Sequence, residues 1–166
     1  MGLPGAGKTS LAVKLAKLLK AVHFNADQIR KEINKDLGFS KQDRIEQAKR
    51  MGVLCDIVAQ SGHWAIADFV CPLPETRKAF GANYFLIYVN RTPIRNFQDT
   101  IKMFVPPEHP DFIVDNENPP SYWAEKIYNV LLVSENAGHP VPGPCSTSCL
   151  SNFPIFLKTG VGGDGI

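Results

Sequence analysis

A glycine-rich loop in the first nine residues constrains this chain more than any other feature. From Gly2 to Thr9, glycines, a lysine and a threonine occupy every fixed position of the pattern G-x-x-x-x-G-K-[ST]. Backbone N–H groups of such a loop approach nucleotide phosphates closely, because glycine has no Cβ and tolerates a positive φ. Lys8 is predicted to contact the β- and γ-phosphates of ATP, and the Thr9 hydroxyl to bind Mg²⁺. The predicted phosphate-binding residues are Gly2, Leu3, Pro4, Gly5, Ala6, Gly7, Lys8, Thr9 and Ser10.

The residues after the loop have the apolar spacing of a helix over 9–20, whose N-terminus would also favour an anion. The alternative is a glycine-rich turn that only caps an ordinary helix, and the complete motif argues against it. The motif normally follows a buried strand, but only Met1 precedes Gly2. We therefore expect the first strand to be missing from this chain, either because the true start lies upstream or because the chain is cut.

Composition indicates a globular protein of one domain. The chain has 166 residues, 44% of them apolar, and a net charge of +2. This charge gives no reason to expect a nucleic-acid partner, and no apolar run is long enough to span a membrane. Because the four cysteines are scattered and no charged-then-apolar leader is present, we expect a cytoplasmic protein.

Alternating strand and helix patterns predict the fold class. Strand candidates cover 22–25, 64–70 and 84–89, with helical patterns between them and over 121–133. This order predicts a three-layer α/β fold of the P-loop NTPase type, in which helices flank a central parallel sheet.

Two segments differ in composition from the rest. The stretch at about 90–120 is polar and Pro-rich, and is predicted to be a lid within a domain over 1–133. The Gly/Pro/Ser-rich tail over 134–166 is predicted to have little structure. Cys145 and Cys149 have no second pair of ligands, so no metal site is predicted there. The cations of the lid are Arg91, Arg95 and Lys102.

Acidic residues follow the first two strand candidates. Asp27 follows the strand at 22–25, and Asp68 lies near the end of the next one. In α/β proteins the carboxyl ends of parallel strands face the ligand crevice. Asp27 is therefore either an acidic residue that faces the ligand crevice or only the N-cap of the next helix. Asp68 resembles the strand-end acid that holds Mg²⁺ in phosphate-loop enzymes. His23, in the first strand, is interpreted as a packing residue.

Further candidates lie on and between the next two helices. Arg30, one turn after Asp27, is positioned to hold an anionic substrate. Arg44 and Gln47 lie one turn apart and are predicted to face the same site. Phe39 stands in a polar loop, where it is either a core anchor or a platform for a base or ring.

Taken together, these residues resemble the adenylylsulfate kinase family over 2–133. The run N-K-D-L-G-F-S is the most specific part, because a phosphate loop alone marks a much wider class. Besides the phosphate loop, the matching segments are N-A-D-Q-I-R at 25–30 (D-G-D-N-V-R in the family), N-K-D-L-G-F-S at 34–40, D-R at 43–44, F-V-C-P at 69–72 (F-I-S-P), I-K-M-F at 101–104 (I-K-x-F) and E-N-P at 117–119.

The resemblance implies a kinase that transfers the γ-phosphate of Mg·ATP to the 3′-hydroxyl of adenylyl sulfate. Lys8 and Asp27 would be the catalytic residues, with Asp27 as the base or orienting group at the substrate hydroxyl. A homodimer, or fusion to or association with a sulfate-activation partner, is also expected. The implied substrate contacts are Arg30 and Arg44 at the phosphosulfate, Phe39 and Phe104 on either side of the adenine, Gln47 at an asparagine position of the family, and Lys102 in the lid.

The chain departs from the family pattern at several of these positions. Asn25 and Gln28 replace an acid and an asparagine, and the lid stretch R-D-P-K-G-L-Y-K-K is absent from 91–100. Phosphoryl transfer is therefore better supported than adenylyl sulfate as the acceptor. The alternatives are a related kinase acting on a nucleoside, a polynucleotide end or a sugar, and a non-catalytic nucleotide-binding fragment.

Overall fold

The structure is a computed structural model that describes residues 1–91 and 98–136, together with the backbone of 157–158. Arg95, Cys145, Cys149 and most of the predicted tail lie outside the described residues. The helices are α1 (Lys8–Leu19), α2 (Ala26–Glu32), α3 (Lys41–Gln60), α4 (Pro74–Phe80), α5 (Gln98–Met103) and α6 (Pro120–Asn136). The strands are β1 (Val22–Asn25), β2 (Ala65–Asp68), β3 (Ile87–Val89), β4 (Phe112–Val114) and β5 (Leu157–Lys158).

The first helix begins directly at the phosphate loop, as the apolar spacing predicted. Gly7 precedes it with a φ of 87°, a left-handed conformation that glycine adopts without steric cost. Leu11, Leu15 and Leu19 are buried on one face of α1, in the core that also contains residues of α6. Burial of this stripe holds the N-terminus of α1, and with it the loop, against the strands.

The strands form two parallel pairs. β1 lies beside β2, with Asn25 opposite Asp68 at their carboxyl ends. β3 lies beside β4, with Ile87 opposite Phe112. β5 pairs antiparallel with the start of β2. The parallel direction confirms the prediction for the first two strand candidates, and it brings their final residues together at one edge.

The sheet is divided between these pairs, although the sequence predicted one central sheet without its first strand. In the described residues no strand precedes α1, and backbone hydrogen bonds of Met1 and Gly2 connect the two pairs. The Met1 ammonium donates to the Ile87 carbonyl at 2.7 Å, and the Met1 carbonyl accepts from the Val89 N–H at 2.8 Å. Gly2 N–H donates to the Val70 carbonyl at 3.4 Å. These few bonds link the pairs without forming a continuous ladder.

Two hydrophobic cores lie on opposite faces of the strands, as expected for three layers. Successive residues of a strand point to opposite faces. Ile66 of β2 packs in the core with α1 and α6, whereas Ala65 and Ala67 pack in the core with α3 and α4. A Cβ on Gly52 would lie 2.0 Å from the Phe80 carbonyl, so glycine is needed where α3 meets α4. Helices therefore cover both faces and leave the carboxyl ends of β1 and β2 open.

The stretch at 90–120 contains α5 and β4, which the sequence pattern did not indicate. These elements have six and three residues, and such short segments carry too little periodicity to be recognised. Closure of this stretch over a ligand stays a prediction. The last helix continues to Asn136, past the predicted boundary at 133.

Candidate active site

A cleft of about 740 Å³ lies where β1 and β2 end. The phosphate loop forms one side of the cleft, and the residues around Phe39 together with the start of α5 form the other. The predicted site residues that line it are Pro4, Gly5, Gly7, Lys8, Thr9, Ser10, Asp27, Arg30, Phe39, Arg44, Gln47 and Asp68. The structure therefore brings most of the sequence-predicted residues into one cavity.

Lys8 lies folded over the phosphate loop. Its ammonium donates to the Leu3 carbonyl at 2.9 Å. Burial lowers the pKa of Lys8, while the charges of Asp68 and Asp27 oppose that shift. An ammonium that is already partly desolvated gains strongly from a phosphate partner, so this arrangement suits a bound polyphosphate.

Asp68 accepts hydrogen bonds from both neighbouring elements at the strand ends. Its Oδ2 accepts from the Thr9 hydroxyl at 2.6 Å and from the Asn25 Nδ2 at 2.9 Å. Burial acts to raise the pKa of Asp68, but contacts from His23, Thr9 and Asn25 and the Lys8 charge outweigh it, so the pKa is lowered. Asp68 is therefore ionised, and its carboxylate lies beside the Thr9 hydroxyl, which is a second possible oxygen ligand for a metal ion.

Sequence reasoning missed two side chains of this cluster. Asn25 is paired with Asp68 in the parallel register, and His23 lies two residues earlier on the same face of β1. The His23 Nε2 is 3.5 Å from Asp68 Oδ2 and makes no hydrogen bond of its own. His23 therefore belongs to the surroundings of Asp68, whereas the sequence, which shows no metal-ligand spacing around it, led to its interpretation as a packing residue. Asn25 ends the first strand candidate and Asp68 lies near the end of the second, and these polar positions were the available signal.

Asp27 lines the cleft in the first turn of α2, and it is not the helix cap that the sequence allowed. Asn25 caps α2, because its Oδ1 accepts from the Gln28 N–H at 3.0 Å. The helix begins two residues earlier than a cap at Asp27 would require. Asp27 is exposed, so its carboxylate is available to a ligand.

Two guanidinium groups lie over one exposed aromatic ring. The Cζ atoms of Arg30 and Arg44 are 4.8 and 5.7 Å from the ring centroid of Phe39, which is 65% exposed. Arg30 Nη1 donates to the Gly38 carbonyl. Burial lowers the pKa of both arginines, and the charge of Arg44 lowers that of Arg30 further. Both remain cations, because an arginine pKa starts above 12, and their repulsion favours an anion beside them.

The remaining predicted substrate contacts lie elsewhere or are already engaged. Gln47 is buried, and its amide donates to the Ala26 carbonyl at 3.2 Å and accepts from Asn34 at 2.9 Å. Lys102 is exposed on α5 and does not line the cleft. Phe104 also does not line it. Its ring is stacked on Tyr88 at 6.1 Å, so the implied sandwich with Phe39 is not present in this structure.

Arg91, which the sequence indicated only as one cation of a lid, lies beside the phosphate loop. Its Nη1 is 3.3 Å from the position that a Cβ on Gly7 would take. Its Nε donates to Asn116 Oδ1 at 3.2 Å. A guanidinium held in this place is a second candidate partner for the phosphates, in addition to Lys8.

The oxygen ligands near the phosphate loop suit Mg²⁺ better than a metal ion whose ligands all come from protein side chains. No cluster of three His, Cys, Asp or Glu side chains suitable for a metal occurs in 1–91 or 98–136. Mg²⁺ typically takes one or two protein oxygens and completes its shell with water and phosphate. The Thr9 hydroxyl and the Asp68 carboxylate fit that requirement.

In the part of the chain that the structure describes, no helix has the length and apolarity to cross a membrane.

Comparisons with known proteins agree with this geometry. The family model described as Adenylylsulphate kinase matches residues 1–104. The adenylyl-sulfate kinase of Oceanobacillus iheyensis is 30% identical over 146 residues, an alignment that covers 70% of this chain and 73% of that protein.

Two solved structures show the same fold. The Mycobacterium tuberculosis APS kinase CysC, solved with AMPPNP and APS, has a TM-score of 0.69 and 23% identity, covering 80% of this chain and 94% of that one. A sugar kinase from Janibacter sp. HTCC2649 has a TM-score of 0.66 and 17% identity, covering 82% of this chain and 94% of that one. From the match of sequence and fold together, the chain belongs to the adenylylsulphate kinase family.

Proposed function

We propose that this chain transfers the γ-phosphate of Mg·ATP to the 3′-hydroxyl of adenylyl sulfate. The observation that carries the proposal is the single cleft that joins the phosphate loop to the paired arginines, with Asp27 also in its wall. The cleft carries positive charge on both sides, Lys8 at the phosphate loop and the two arginines opposite. These charges complement a phosphate donor and an anionic acceptor. Family membership supports the same reaction.

On the donor side, the loop from Gly2 to Ser10 would bind the phosphates of ATP through the backbone N–H groups of its cleft-lining residues, Gly5 and Gly7 to Ser10. Lys8 would leave the Leu3 carbonyl and contact the β- and γ-phosphates. Arg91 would add a second positive charge from the other side of Gly7. Such cations stabilise the charge that develops during phosphoryl transfer.

Thr9 and Asp68 would hold the magnesium ion that accompanies ATP. When bound, Mg²⁺ neutralises phosphate charge during transfer. Asp68 suits this role because it is already ionised. Asn25 donates to its carboxylate from the strand side, and His23 lies 3.5 Å from it. Mg²⁺ would replace the hydrogen bond between Thr9 and Asp68, and the hydroxyl and carboxylate oxygens would stay where they are.

On the acceptor side, Arg30 and Arg44 would bind the phosphosulfate group of the substrate, and the exposed face of Phe39 would contact its adenine. Asp27 would accept or orient the proton of the attacking hydroxyl. Gln47 would act indirectly, because its amide is engaged with Ala26 and Asn34. Phe104 and Lys102 would reach the substrate only if the stretch at 90–120 moves.

A kinase with another hydroxyl acceptor is the second candidate. It is favoured by the divergent stretch at 91–100, because the family residues that position both substrates there are absent. The proposal also includes a cytoplasmic location and association with itself or with a sulfate-activation partner. Native mass spectrometry of the purified chain tests self-association.

A panel of acceptors separates the two candidates. The full chain is incubated with Mg·ATP and either adenylyl sulfate, adenosine, a hexose, gluconate or a 5′-hydroxyl oligonucleotide, and kcat/KM is measured for each. The proposal predicts the highest value for adenylyl sulfate. A higher value for an uncharged acceptor would contradict it, as would ATP binding without transfer to any acceptor.

A further inference from the structure

Thr100 contacts the acceptor side of the cleft from α5. It is 9% exposed, lines the cleft, and lies on the stretch where the chain departs from the family pattern. Its Oγ1 accepts a hydrogen bond from Arg44 Nη2 at 3.2 Å. A side chain that no family motif assigns therefore makes direct contact with a predicted substrate cation.

The bond to Thr100 is one of two that fix the Arg44 guanidinium. The other is donated by Nε to the Phe39 carbonyl at 3.0 Å. Because one bond starts from Nε and the other from Nη2, together they define both the position and the rotation of the planar group. An arginine has five N–H donors, so the group is held while donors remain for a ligand.

Repulsion between the positive charges of Arg30 and Arg44 is the reason why Arg44 needs an anchor. Arg30 and Arg44 both lie over the Phe39 ring, and the charge of Arg44 lowers the pKa of Arg30. Two cations in this arrangement repel each other until an anion binds between them. The charges of Asp27 and Asp43 offset part of this repulsion at Arg30. The Thr100 hydroxyl holds Arg44 near Arg30 without adding a further negative charge that would compete with the substrate.

We propose that Thr100 is a positioning residue that holds Arg44 ready for the anionic group of the acceptor. This inference rests on the proposed function, because it assumes an acceptor with a phosphate or phosphosulfate group. Preorganisation of the guanidinium reduces the ordering cost of binding, so Thr100 acts on acceptor affinity rather than on ATP.

The test compares Thr100→Val with Thr100→Ser in the full chain. Valine keeps the shape and removes the acceptor oxygen, while serine keeps the oxygen. If Arg44 is mobile before binding, the cost of ordering its side chain corresponds to about a 3- to 10-fold change in affinity. We expect the Kd for adenylyl sulfate to rise by that factor in Thr100→Val and to stay near wild type in Thr100→Ser, with the Kd for ATP unchanged in both. In an Arg44→Ala background, Thr100→Val has no further effect.

A second readout needs no acceptor. Nitrogen-15 NMR of the Arg44 guanidinium reports whether rotation about its Cζ–N bonds is hindered. Thr100→Val is expected to speed this rotation and Thr100→Ser to preserve the slow rotation. Unchanged rotation in Thr100→Val overturns the inference, as does an equal loss of adenylyl sulfate affinity with and without Arg44. Failure of wild type to bind or phosphorylate adenylyl sulfate overturns the proposed acceptor, and the NMR comparison still decides the role of Thr100.

Discussion

The Thr9 hydroxyl donates a 2.6 Å hydrogen bond to Oδ2 of Asp68. This bond joins the N-terminus of α1 to the carboxyl end of β2, two elements that are 59 residues apart in sequence. Both partners are hard oxygen ligands, and both line the cleft. In our proposal, Mg²⁺ binds at the place where the Thr9 hydroxyl and the Asp68 carboxylate meet.

Asp68→Asn is expected to weaken the use of magnesium. The substitution keeps the size of the side chain but removes the negative charge, so the ion loses its one carboxylate contact in the proposed set. We expect kcat to fall about 10- to 100-fold and half-saturating Mg²⁺ to rise. Asp36→Asn is the matched control, because Asp36 is exposed, pairs with Arg50 and does not line the cleft. Equal magnesium dependence in both variants would remove Asp68 from the site.

Asp27→Asn separates a catalytic role from a structural one. Because Asn25 caps α2, the loss of the Asp27 charge leaves the cap intact. We expect turnover to fall about 100-fold or more, as for loss of a general base, with the Kd for ATP unchanged. The measurements are steady-state kinetics and calorimetric titration of ATP. A parallel loss of turnover and ATP affinity would instead indicate that Asp27 shapes the phosphate site.

Arg91→Ala tests the guanidinium beside Gly7. If Arg91 binds the phosphates, its removal raises the KM for ATP by about 10-fold, the usual effect of losing one charge-assisted hydrogen bond. Asn116→Ala releases the Nε contact of Arg91 and should give a smaller increase in the same direction. An unchanged KM for ATP in both variants would show that Arg91 only borders the loop.

The stability of the fold at acid pH should depend on Asp68. Its pKa in the folded chain lies below the ordinary value of 3.8, so its ionised form stabilises the fold above that value. This contribution is lost as the pH falls through the lower, folded pKa. We expect the free energy of unfolding of wild type to fall more steeply on acidification below about pH 5 than that of Asp68→Asn. Chemical denaturation at several pH values measures both, and parallel curves would contradict the expectation.

The local elements were predictable because local patterns specify them. The loop ending at Thr9, the helix after it and the strand at Val22–Asn25 follow from glycine spacing and apolar periodicity. The N-terminus of α3 has a local signal of the same kind, because Ser40 and Asp43 form a capping box. These signals lie within a few residues, so no tertiary contact was needed to recognise them.

Side-chain partners between distant elements were not predictable in the same way. Asn25 reaches Asp68 only because β1 and β2 pair in one register, and the ring of Phe104 stacks on Tyr88 of β3, which is distant in sequence. Thr100 meets Arg44 across 56 residues of sequence, from a short helix with no periodic signal. Such contacts depend on tertiary packing, which neither spacing nor the family resemblance contains.

The central claim is phosphoryl transfer from ATP at the phosphate loop to adenylyl sulfate. The most direct measurement is formation of 3′-phosphoadenylyl sulfate from γ-labelled ATP by wild type, Lys8→Ala and Lys14→Ala. Lys14 is exposed on the same helix and does not line the cleft, so it controls for the loss of one lysine. The account predicts labelled product with wild type and Lys14→Ala, and a loss of about 1,000-fold or more with Lys8→Ala. Comparable product formation by Lys8→Ala would contradict it.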